Sequence, residues 1–148
     1  MTVLFVLLAA LLLFRGLGAA GVPALASWRA AARYALAVML LFTAGAHFTS
    51  LKDDLARMVP DWVPYPRLVI FATGVFEIAA AIGLLAPATR RAAGIALIVF
   101  FLAVFPANIH AARAGIELGG RPATPLWLRA PMQVLFIALA WWSTRANK

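Results

Sequence analysis

Apolar positions along the chain fall into five runs, each interrupted by very few polar side chains. Residues 2–22 are apolar apart from Arg15, and residues 34–51 carry one histidine, His47. Residues 68–89 carry one acid, Glu77, and residues 92–112 hold Asn108 and His110 just beyond Pro106. The last run, 130–144, is short and reaches spanning length only if 126–129 enter the headgroup zone. A membrane crossing takes about 20 apolar residues, so the pattern predicts five transmembrane helices. The first run lacks the positively charged leader of a signal peptide and is read as a retained helix, with Arg15 long enough to snorkel.

The connections differ in character. Within 51–67, Leu51, Leu55 and Met58 recur at helical spacing before Pro60, Pro64 and Pro66, which predicts a short interfacial helix and then a rigid Pro-rich return. Trp62 and Tyr65 are placed there at headgroup depth. Residues 86–91 read as a tight turn and 113–125 as a Gly/Pro surface loop.

Composition agrees with this picture: 65 % of the 148 residues are hydrophobic and 12 % charged, against roughly 25 % charged in soluble domains. The sequence therefore predicts an all-α polytopic membrane protein, a single membrane domain over 1–148. The net charge of +8 is spread among loops rather than gathered into a stripe, so lipid bilayer and topology explain it and nucleic acid does not. Five spans put Arg15, Arg29, Arg33, Arg90, Arg91, Arg145 and Lys148 on one side, and Lys52, Arg57, Arg67, Arg113, Arg121 and Arg129 on the other. Seven against six favours a cytoplasmic location for the first set and an external N terminus. With no cysteine, any redox role needs a bound cofactor or a partner.

Counted from the helix ends on the side of the 51–67 loop, His47 and Asn108 fall about 6 Å in, Gln133 about 5 Å and Glu77 about 14 Å. Three polar residues are thus expected in one layer with the acid beneath. Thr43 and His47, Thr73 and Glu77, and Arg129 and Gln133 are each four apart, so each pair shares a helix face. Hydrocarbon cannot hydrogen-bond such stripes, so they are expected to turn inward, with Ala79 and Gly83 letting helices approach closely. An acid near the midplane costs about 2.5–3.5 kcal/mol on insertion scales, which makes Glu77 the residue hardest to explain as accident. Glu77 and His47 are the candidate catalytic residues, and His47, Thr73, Glu77, Asn108, Arg129 and Gln133 the candidate ligand-binding set. Each also has a plainer reading: an acid or histidine that fixes helix packing, and an asparagine satisfying carbonyls released by Pro106.

Other chemistries find little footing. There is no third histidine for zinc and no Glu-x-x-His pair of the di-iron kind, so no metal site is expected. No Gly-x-Ser-x-Gly elbow occurs, and "ELGGRP" lacks the Lys and Ser/Thr of a P-loop.

Taken in order, "AGAHF" (44–48), "VPDWVPYP" (59–66), "TGVFEIAAAIGLL" (73–85), "VFPANIHAA" (104–112) and "LRAPMQ" (128–133) resemble the DoxX-like membrane proteins. The resemblance implies a compact four-helix transmembrane bundle over 34–144, preceded here by an extra N-terminal helix within 1–26. It also implies a multi-pass protein of the bacterial inner membrane, associated with a redox system. Two functions follow as expectations: an accessory or assembly subunit that binds a partner membrane protein, or a subunit that binds a hydrophobic small molecule such as a quinone through the His47, Glu77 and Asn108 cluster. No other cofactor is expected.

Overall fold

The structure is a computed structural model, and it describes residues 1–145; Lys148, one of the basic residues assigned a side above, lies outside them. The chain is helical almost throughout, with six α-helices: α1 (Thr2–Ala19), α2 (Trp28–His47), α3 (Lys52–Met58), α4 (Pro66–Leu85), α5 (Arg90–Arg113) and α6 (Leu126–Thr144). A short 3-10 turn at Pro23–Leu25 links α1 to α2. Four helices, α1, α2, α4 and α5, are long and apolar enough to cross a membrane. In α6, Arg129, Pro131 and Gln133 dilute the apolar run.

Helix boundaries depart from the hydropathy pattern for local reasons. The second helix begins at Trp28, six residues before the expected 34, because Ser27 caps it: its hydroxyl accepts the Ala30 amide at 3.1 Å. It ends at His47 and not at 51, because Thr49 takes over the local bonding, donating to the Ala46 carbonyl and accepting the Leu51 amide. Pro66 opens α4 at the first helical position, where its missing amide costs nothing. Pro106 is accommodated within α5, which runs on to Arg113. The segment 126–129, expected at headgroup depth, forms the first turn of α6.

The expected interfacial helix of the 51–67 loop is α3, whose Met58 is buried. The loop 113–125, expected to be irregular, contains a small antiparallel hairpin: β1 (Glu117–Leu118) pairs with β2 (Arg121–Pro122). Gly119 and Gly120 both take positive φ, 59° and 72°, as a two-residue primed turn requires.

The central helix is α2, which packs against α1, α4 and α6, while α5 lies against α4 and α6. Its buried face is mostly alanine with Leu36, Met39 and Leu40, and these meet Leu7 of α1, Leu84 of α4, Leu97 of α5 and Phe136 of α6 in one core. Large apolar side chains such as Phe5, Leu12, Phe71, Ile82, Val99 and Val134 are turned outward, as lipid-facing positions would be. Of the Ala79 and Gly83 stripe, Gly83 allows the close helix approach expected of it and Ala79 does not. Ala79 is exposed, Gly83 packs against Ala93 of α5, and the small residues on the buried face of α4 are Gly74, Ala80 and Ala81.

Candidate functional site

The seam between α2 and α4 carries the first polar group. His47 closes α2, and its Nδ1 lies 2.8 Å from the carbonyl of Ile70 and 3.2 Å from the hydroxyl of Thr73. A carbonyl only accepts, so Nδ1 is the protonated nitrogen, and the Thr73 hydroxyl turns its own proton to the same carbonyl at 2.9 Å. Nε2 is thereby left facing Oε2 of Glu77, 3.6 Å away. Both side chains are about nine-tenths buried, and Oε2 has no hydrogen-bond partner. The Thr43 hydroxyl lies beside the same carboxyl while donating to the Leu40 carbonyl of its own helix at 3.0 Å.

This geometry has one chemical consequence. With Nδ1 committed to Ile70, the imidazole Nε2 and the carboxyl Oε2 can share one proton, held as a carboxylic acid facing a neutral ring or as a carboxylate facing an imidazolium. At 3.6 Å the two atoms stand just beyond direct hydrogen-bond contact. The idle carboxyl oxygen is the open valence of the site.

Gly74 makes the seam possible. A methyl group there would lie 2.6 Å from Cβ of His47 and 3.0 Å from its Cγ, so only glycine lets the histidine seat against α4. Neither Gly74 nor the Ile70 carbonyl was among the residues singled out from the sequence. Gly74 could have been found, since it lies three before Glu77 and so on the same helix face.

The second polar group lies on α5 and α6. Arg129 donates through Nη1 to Oδ1 of Asn108, and the Gln133 amide donates to the Phe101 carbonyl. Phe101 neighbours Leu102, whose carbonyl Pro106 deprives of its helical donor. The two donors are four apart on α6 and their two acceptors seven apart on α5, so antiparallel helices match them one turn against two. Gln133 is buried and Arg129 half-buried, with a neutral amide and no carboxylate as its partner.

The six candidate residues therefore form two groups: His47, Thr73 and Glu77 on one seam, and Asn108, Arg129 and Gln133 on the other. Among the described residues no hydrogen bond or ion pair joins the groups. The helix ends from which depth is counted are not flush, so the counted depths shift. The last residue of α2 stands level with Ile70 and Gly74, a turn or more inside α4. From their own helix starts, Gln133 is about 10 Å in and Glu77 about 16 Å.

A shallow groove at the α3–α4 junction is lined by Asp53, Asp54, Arg57, Tyr65 and Arg67. Its charges are already paired, Arg67 with Asp53 at 3.2 Å and Arg57 with Asp54 at 2.5 Å. No cluster of three His, Asp or Glu side chains able to hold a metal ion occurs among the described residues.

Four apolar helices of spanning length and a polar seam buried between two of them define a helical membrane protein. Over residues 36–144 the chain matches the family described as a domain of unknown function, DUF8561, and it belongs to that family. All six candidate residues lie within the matched region, and α1 lies outside it. No curated protein and no solved structure matches the chain.

Proposed function

We propose that this protein is a five-span helical bundle of the bacterial inner membrane, a small subunit of a redox-associated membrane system that exchanges a proton with a hydrophobic, carbonyl-bearing molecule of the quinone class. In this reading α6 is the fifth span, its polar residues facing α5 rather than lipid. The observation that carries the reading is the buried pair of His47 and Glu77, with one carboxyl oxygen unpartnered and one imidazole nitrogen turned toward it. A fully satisfied structural bridge would leave neither atom idle. With no cysteine in the chain, the electrons come from a bound cofactor or a partner subunit. The resemblance of its motifs to DoxX-like proteins supports the redox association.

The test is purification from native membranes in mild detergent, with mass spectrometry of the bound small molecules and co-eluting subunits, for the parent and for Glu77→Gln and His47→Ala. The reading expects an isoprenoid quinone or similar molecule with the parent, lost from both variants while both still fold. Equal ligand content in all three, or none in the parent, overturns it. Recovery of ligand-free protein with a constant partner subunit would leave assembly as the function.

A further inference from the structure

The end of the molecule opposite the 51–67 loop collects arginine. The N-termini of α2 and α5 and the C-termini of α1, α4 and α6 lie there, bringing Arg15, Arg29, Arg33, Arg90, Arg91 and Arg145 to one level. All five acids of the chain, Asp53, Asp54, Asp61, Glu77 and Glu117, lie in the loops of the other end or within α4. Arg33 is half-buried one turn inside α2, and it lies within electrostatic reach of Arg90 from α5 and of Arg29 four residues before it.

Three guanidinium groups drawn together repel one another, and like charges four apart on a helix are unfavourable even in water. Some of the cost is met by helix ends. Arg33 donates through Nη1 to the Ser143 carbonyl at 2.8 Å, and Arg90 through Nε to the Leu84 carbonyl at 3.4 Å. These carbonyls carry only partial charge, and each takes a single nitrogen donor of its guanidinium. The Ser143 hydroxyl, on the residue that holds Arg33, is fully buried and has no hydrogen-bond partner. Around this cluster Trp28, Trp141 and Trp142 lie against Arg15, Arg145 and Arg29, with guanidinium carbons 5.2, 4.5 and 5.9 Å from the ring centres. Indole rings partner arginine in this way at the headgroup level of a bilayer.

We infer that Arg33 and Arg90, with Arg29 beside them, form a binding site for a phosphate group at the headgroup level of this face. Arginine suits that ligand because its fork of donors matches two phosphate oxygens, and among the described residues no Asp or Glu lies at this end, so an anionic phospholipid would supply the negative charge. The same chemistry would accept inorganic phosphate from solution, so the experiment separates the two sources.

Purified parent protein in a neutral detergent is titrated with short-chain phosphatidylglycerol, with phosphatidylcholine of the same chain length, and with inorganic phosphate, following thermal unfolding and bound lipid by native mass spectrometry. Phosphatidylglycerol is expected to raise the unfolding temperature saturably and phosphatidylcholine is not. Arg33→Gln and Arg90→Gln should each weaken the apparent affinity roughly tenfold, and Arg113→Gln at the opposite end should leave it unchanged. Saturable stabilisation by inorganic phosphate, lost in the same two variants, supports the site with a soluble ligand. An equal response of the parent to both lipids with none to phosphate overturns the inference, and that measurement needs no variant to fold. An undiminished response in both Arg33→Gln and Arg90→Gln overturns it equally.

Discussion

Nε2 of His47 stands 3.6 Å from Oε2 of Glu77 while Nδ1 of the same ring is held 2.8 Å from the Ile70 carbonyl. The ring is oriented by main chain and the carboxyl by nothing comparable, so the two residues should respond differently to substitution. His47→Ala removes the oriented partner and leaves the buried carboxyl facing no ring, while the Ile70 carbonyl keeps the Thr73 hydroxyl, a loss of about 1–3 kcal/mol for the unsatisfied group. Glu77→Gln keeps size and hydrogen-bonding capacity and should cost less than about 1 kcal/mol. A His47→Leu/Glu77→Leu double variant should recover much of the stability lost by His47→Ala, because no polar atom of the pair is then left unpaired. Thermal unfolding in one detergent checks the order. Equal losses for His47→Ala and Glu77→Gln would contradict this account.

Gly74→Ala should reach the same pair without touching either side chain. The added methyl would meet Cβ of His47 at 2.6 Å and Cε2 of Phe48 at 3.0 Å, and the α2–α4 seam has to open to admit it. Overpacking of this kind costs about 1–3 kcal/mol. Ala79→Leu, one turn further along α4 at an exposed position, should stay within about 0.5 kcal/mol of the parent. A Gly74→Ala protein as stable as the parent would show that the seam is looser than its geometry implies.

Hydropathy carried the spans because lipid exposure imposes the strongest constraint the chain obeys: the apolar runs holding His47, Glu77 and Asn108 each became a long helix. Helix ends were less legible. Arg29 and Arg33 interrupt the apolar run, yet the Ser27 cap carries the helix through them. The pairing of His47 with Glu77 was readable from the rule that polar groups turn inward, whereas their relative depth was not. Depth depends on how far α4 extends beyond α2, and packing sets that stagger. The Ile70 and Phe101 carbonyls that hold His47 and Gln133 were invisible, since a main-chain acceptor leaves no mark in the side-chain pattern. The hairpin at 117–122 did leave one, the Gly-Gly pair of "ELGG", which reads as a primed turn once two short extended segments are allowed beside it.

The α5–α6 group offers a test of coupling. Arg129 is a half-buried cation whose hydrogen-bond partner is the neutral Asn108, so each residue should lose most of its value without the other. Asn108→Leu and Arg129→Met should each destabilise, and the double variant should fall short of their sum by about 1.5–3 kcal/mol, the usual worth of a hydrogen bond to a charged group. Gln133→Leu, whose partner is the Phe101 carbonyl two turns from Asn108 on α5, should add to Asn108→Leu. Strict additivity of Asn108→Leu and Arg129→Met would show that the contact carries no energy.

Outside the membrane, Asp54 links the interfacial helix to the hairpin. Its Oδ2 accepts the Gly119 amide at 2.8 Å and its Oδ1 accepts from Arg57. The Gly119 amide, then Arg57, hold the Asp54 carboxyl below its ordinary value of 3.8. A carboxyl depressed in the folded state contributes stability that is fully present above its unfolded pKa and lost as pH falls through the folded one. The docking of the hairpin on α3 should accordingly be constant from neutral pH down to about pH 5 and weaken below about pH 4. Hydrogen exchange at the Gly119 amide reads this directly: protection should drop on acidification in the parent, while Asp54→Asn should show low, pH-independent protection once intrinsic exchange rates are divided out. The buried seam at Glu77 should not follow the same curve, because the two sites share no residue and lie at different depths. A parent whose Gly119 protection stays flat through pH 3 would mean that the amide is held by something other than the Asp54 carboxylate.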